Sequence, residues 1–95
     1  MKFKFSNQMI EWRGPAPFYY VPVPQDLSDR IKANANLLTY GWGVIPVKGR
    51  VGRTEFTTSL FPRNGIYLVP IKNMVRLPEK LELGQNVTVE LELNL

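Results

Sequence analysis

The chain contains neither cysteine nor histidine. Without thiols there is no disulfide framework and no Cys-His nucleophile pair. Without imidazole there is no Ser-His relay and no ordinary proton shuttle at neutral pH, and nearly all zinc and iron sites lose their ligands. Long apolar runs are missing too: none approaches the roughly 20 residues that span a bilayer. The opening MKFKFSNQMIEW alternates charged with apolar residues instead of forming the continuous core of a signal peptide. Together these absences predict a cytoplasmic domain without a membrane segment, metal or cofactor, and with no common catalytic machinery. Asp26 and Asp29, three apart at a predicted helix start, suit the positive end of the helix dipole better than acid-base work.

What is present suits one folded domain over residues 1–95. The composition is 44% hydrophobic and 12% aromatic, and eight prolines and seven glycines are scattered as single punctuation marks. Net charge is +4 and the pI is about 9.6, so the chain is basic. The charge is unevenly distributed along the sequence. From Lys48 to Arg76 six cations (Lys48, Arg50, Arg53, Arg63, Lys72, Arg76) oppose Glu55 alone, or +5, whereas beyond Arg76 four glutamates oppose Lys80, or −3. Such asymmetry is expected of a partner-binding surface, or of scattered surface charge.

Period-two alternation marks most of the chain as strand. KFKFSNQMI, the aromatic run Phe18 to Val23, VIPVKGRV, TEFTTSLF, Ile66 to Ile71 and QNVTVELELNL give six strands. In the last, Val87, Val89, Leu91, Leu93 and Leu95 face one side and the glutamates the other, so a one-residue slip would bury charge. Leu27, Ile31, Ala35 and Leu38 recur at helical spacing, and a short helix is expected around KNMVRL before Pro78. Pro62-Arg63-Asn64-Gly65 is a strong turn signal. Gly49-Arg50-Val51-Gly52 superficially matches an RNA-binding GXXG clamp, but strands flank it, so a hairpin connection is predicted.

YYVPV at Tyr19 to Val23 returns as YLVPI at Tyr67 to Ile71, an offset of 48 (71 − 23). Each half then reads strand, strand, proline, helix, strand, which suggests two ββαβ halves; the alternative is a coincidence of Val-Pro steps. The strings IEWRG, FYYVPVP, GWGVIPVKGRVGRTEFTTSLFP, GIYLVPIKNMVR and LELGQNVTVELEL also resemble the small bacterial domain of unknown function number nineteen-oh-five. That resemblance implies a mainly β fold, a six-stranded double-split β-barrel with two short capping helices, of a kind shared with transition-state regulators that bind DNA. It implies no activity.

The expected function is therefore a non-catalytic binding module presenting a cationic face to an anionic small molecule or an acidic protein, with nucleic acid as the alternative and an unrecognised enzyme third. Lys72 and Arg76, four apart, would share a helical face, and Arg53 and Arg63 would add to it from neighbouring connections. Trp12 and Trp42, beside glycine-containing breaks, would border a pocket. The remaining aromatics are expected to fill the interior and seal its ends, although exposed beside arginines they could stack on bases.

Overall fold

A computed structural model describes residues 1–12, 18–34 and 44–93. In chain order the elements are β1 (Lys2–Gln8), β2 (Ile10–Trp12), β3 (Phe18–Pro22), α1 (Gln25–Ala33), β4 (Ile45–Val51), β5 (Thr54–Arg63), β6 (Ile66–Pro70), α2 (Asn73–Arg76) and β7 (Asn86–Leu93). The fold is mainly β, with two short helices. Seven antiparallel strands curl into a half-barrel in the order β1-β7-β4-β5-β6-β3-β2.

The seventh strand arises because the first predicted strand changes partner in its middle. β1 pairs with β7, and the Met9 amide continues that pairing to Gln85 O at 2.9 Å. Ile10 to Trp12 then pair with β3. β5 does the same within one unbroken element: Thr54 to Leu60 pair with β4, and Phe61 to Arg63 with β6. If β1 and β2 are counted as one strand, six remain.

This equivalence answers to the repeat in the sequence. Val21 stands opposite Val69, an offset of 48 (69 − 21). The flanking bonds obey the same offset: Val23 N donates to Tyr67 O and Ile71 N to Tyr19 O, both at 2.8 Å. Exchanging the halves turns the β1·β7 pairing into β5·β4 and the β2·β3 pairing into β5·β6. YYVPV and YLVPI are thus one strand-to-helix corner used twice, packed against itself. Pro22 and Pro70 end their strands, where a missing amide donor costs no ladder bond.

The core lies on the concave side. Val21, Ile31, Ile45, Leu60, Val69 and Val89 are fully buried. Alternation in β7 holds as expected, with Val87, Val89, Leu91 and Leu93 buried; Leu95, like Ala35 and Leu38, lies outside the described residues. Gly49 is required by packing: a Cβ there would overlap the ring of Phe56, its partner across the β4–β5 ladder. Ser28, the buried polar side chain of α1, donates to Val23 O at 3.0 Å and accepts from Tyr67 N at 3.1 Å. It thereby pairs the Val23 carbonyl before α1 and the Tyr67 amide of β6, two backbone groups that burial would otherwise leave unsatisfied.

Both hairpin turns use positive φ. Asn64 and Gly65 (φ 50° and 84°) form the two-residue turn that matches strand twist, and Gly52 (φ 57°) begins the β4–β5 turn. The glycine motif is therefore a hairpin, as expected. No helix among the described residues is long and apolar enough to cross a membrane.

Candidate functional site

The strands present two different outer faces. Over β1, β7, β4 and the first half of β5, the outward residues form cross-strand rows. One runs Lys2, Glu92, Lys48, Thr57, and the next Lys4, Glu90, Arg50, Glu55. Oppositely charged side chains directly across a ladder attract, so each glutamate of β7 is flanked by cations of β1 and β4. Arg50 Nε reaches Glu90 Oε2 at 2.6 Å. That hydrogen bond holds the Glu90 carboxyl below its usual range and raises the Arg50 guanidinium. A shallow open groove along this region is lined by charges of both signs.

This pairing has a direct consequence for the uneven charge of the sequence. The acidic C-terminal segment folds between the basic strands, so Arg50 pairs with Glu90 and Lys48 stands across the ladder from Glu92. Sequence separation concealed a spatial neutralisation.

The other predicted cations divide as well. Arg76 is held: its guanidinium lies over the Tyr19 ring at 4.8 Å and Nη2 donates to Asn73 Oδ1 at 3.2 Å. Its buried Nε has no hydrogen-bond partner. By the offset of 48, Arg76 corresponds to Ser28, so both helices clamp the opposite half's tyrosine segment from this position. Arg53 is exposed in the β4–β5 turn. At the end of that turn Thr54 Oγ1 donates to Glu79 Oε2 at 2.6 Å, three residues beyond α2, so an anion is held beside the turn that carries Arg53. Lys72 is exposed and without an acidic partner among the described residues. Trp42 lies outside the described residues.

Over β2, β3, β6 and the end of β5 the outward residues are of another kind. Ile10 stands across from Tyr20, and Tyr20 from Pro70; Trp12 from Phe18; Phe61 from Leu68, which is buried, and Leu68 from Pro22; Arg63 from Ile66. Phe18 is 57% exposed, Phe61 44% and Ile10 39%. The expectation that aromatics other than the tryptophans fill the interior holds for Tyr67, which is buried, and for Tyr19, which packs on the core. Burial pushes the Tyr67 phenol above its ordinary range. The expectation fails for Phe18 and Tyr20, because β3 alternates and only Tyr19, Val21 and Val23 point inward.

Arg63 extends from β5 to stack over the ring of Trp12, although β6 and β3 lie between their strands. Lys72 joins the same face. Ile71 N still bonds Tyr19 O, and Lys72 is extended (φ −81°, ψ 165°), so continuation of the register sets it beside Phe18. The structure thus gathers Trp12, Lys72 and Arg63, of the predicted residues, around Phe18, Tyr20 and Phe61. Parity could have found the last three: Phe18 and Tyr20 fall out of phase with Val21 and Val23, and Phe61 with Phe56 and Leu60.

Among the described residues no group of three or more histidine, cysteine, aspartate or glutamate side chains is placed to hold a metal ion. The chain belongs to the family described as Domain of unknown function (DUF1905), whose family model matches residues 5–91. No curated protein matches it.

Proposed function

We propose that this family member is a non-catalytic binding module and that its contact surface is the aromatic face of β2, β3, β6 and the end of β5. The observation that carries this reading is the exposure of Phe18 and Phe61 on one sheet face with Lys72 and Arg63 beside them. Large apolar side chains cost free energy in water, and their concentration on one face is the usual mark of a contact site. The adjacent cations favour an anionic partner, in keeping with a net charge of +4. A composition without histidine or cysteine supports binding over catalysis.

The charge-ladder face is a weaker candidate, since its cations already have anionic neighbours. A cluster of Lys72, Arg76 and Arg53 is weaker too, with Arg76 engaged on Tyr19 and Glu79 beside the turn that carries Arg53.

The test is a heteronuclear NMR titration of the labelled protein with three anions: adenosine triphosphate, poly-glutamate and a mixed-sequence single-stranded oligonucleotide. Shifts concentrated at Trp12, Phe18, Tyr20, Phe61, Arg63 and Lys72 with at least one of them are expected. Shifts confined to Lys2, Lys4, Lys48 and Arg50, or none with any probe, would overturn the assignment.

A further inference from the structure

We propose that the aromatic face takes single-stranded nucleic acid, with bases laid on Phe18 and its aromatic neighbours and phosphates met by Lys72 and Arg63. This rests on the binding reading above and narrows its partner to one class.

Phe18 carries the inference. It is the most exposed aromatic of this face at 57%, and it stands between Trp12, which carries the Arg63 guanidinium, and Lys72. A planar apolar surface with a cation on either side matches a base stacked on a ring and its phosphates held at the edges. Tyr20 lies two residues along the same strand face, about 7 Å away, and extends the platform.

The state of Arg63 points the same way. A guanidinium stacked on an indole uses its face and leaves its N–H edges free for bidentate contact with phosphate. Among the described residues Arg63 makes no ion pair. Lys72 supplies a second, compact charge.

Other occupants use this surface less fully. A proline-rich peptide would cover the rings and leave both cations unused. An acidic peptide would meet the cations and leave the flat surface of Phe18 without a matching plane. A second copy of the chain, laid face to face, would bring cations toward cations. Duplex DNA hides the faces of its bases and would present only sugar and phosphate to the rings.

The experiment is fluorescence anisotropy of labelled twelve-nucleotide single-stranded DNA and RNA, and of the matching duplex, at about 50 and 200 mM salt. The wild-type chain is expected to bind single strands at least tenfold more tightly than duplex. Phe18→Ala should weaken binding about 5- to 150-fold, the range for loss of one stacked base, and Phe18→Tyr should restore it. Lys72→Gln should reduce the log-log salt slope by about 0.7, the value for one phosphate of a single strand. Phe18 is exposed, and a thermal melt matching wild type checks that its variants fold.

Tighter binding to duplex, an unchanged affinity in Phe18→Ala, or no binding at tens of micromolar protein in low salt would overturn the proposal. If adenosine triphosphate or poly-glutamate still shifts the same face by NMR in that last case, the binding module stands and only its nucleic-acid partner falls. If no probe touches the face, both fall.

Discussion

The two outer faces of this protein are built on one repeated framework and have opposite character. Over β1, β7, β4 and the first half of β5, lysine, arginine and glutamate alternate across the strands. Over β2, β3, β6 and the end of β5, the outward positions hold aromatic rings, isoleucine and proline, with Arg63 beside them. β5 contains the contrast within itself: Glu55, Thr57 and Ser59 point out beside β4, then Phe61 and Arg63 beside β6. The first strand repeats the change, from Lys2, Lys4 and Ser6 to Ile10 and Trp12. In both, the outward residues change where the strand changes partner. One face is self-satisfied, each charge having a neighbour of opposite sign, and the other leaves apolar surface and two cations uncompensated.

The most severe way to break the comparison is to remove what the faces share. Leu60 is fully buried where β5 passes from one partner to the other. Leu60→Ala should cost about 2–5 kcal/mol in a chemical denaturation, and both faces should melt together. Separate transitions would show that the faces fold independently.

The faces are separated functionally by Phe18→Ser with Phe61→Ser. Stacking lost at a binding site is worth about 1–3 kcal/mol per base, whereas exposed substitutions usually change stability by less than about 0.5 kcal/mol each. The double variant should therefore lose oligonucleotide binding in anisotropy while its melt barely changes. Lys4→Gln on the other face should leave binding intact.

A finer contrast lies at the two ends of β5. Gly65 (φ 84°) has open space around it, whereas a Cβ at Gly52 (φ 57°) would also strike the Glu79 carboxylate that Thr54 holds. Gly65→Ala should cost about 1–2 kcal/mol for the left-handed backbone alone. Gly52→Ala should cost more by denaturation and should release the Thr54–Glu79 bond; equal losses would show that Glu79 swings aside freely.

The smallest effect belongs to the exposed Arg50–Glu90 pair. The folded-state pKa of Glu90 is lowered beneath its ordinary 4.5. Its contribution to stability is therefore present above the unfolded value and lost as pH falls through the lower folded one. Stability measured between about pH 6 and 2 should decline with a slope that Glu90→Gln reduces, and added salt should blunt the difference. A slope unchanged in the variant would show that other carboxylates account for it.

Much of the architecture was legible from residue order. Alternation located the core positions of β7, and Asn64-Gly65 located a hairpin, because strand parity and turn stereochemistry act over a few residues. The repeated Val-Pro corner was visible as well, though not that its two copies pack on each other. The site was only partly legible. Charge and glycine breaks single out Lys72, Arg63 and Trp12, which share the candidate face, but helical spacing groups Arg76 with Lys72 because it says nothing of Tyr19, which comes from a strand 57 residues earlier (76 − 19). Phe18 and Tyr20 were expected inside because an aromatic favours burial on average, and only the phase of the strand shows that these two point out.

By itself the sequence determined the chemistry available and the local grammar: no thiol or imidazole, alternating strands, glycines where φ turns positive, and a corner written twice. These are properties of single residues and near neighbours. Only the tertiary structure decided which charges remain available. Net charge sums over the chain, whereas electrostatic attraction depends on distance, and β7 places Glu90 and Glu92 between cations from the start and the middle of the sequence. The same folding left Phe18 and Phe61 exposed on the other face, with Lys72 and Arg63 beside them.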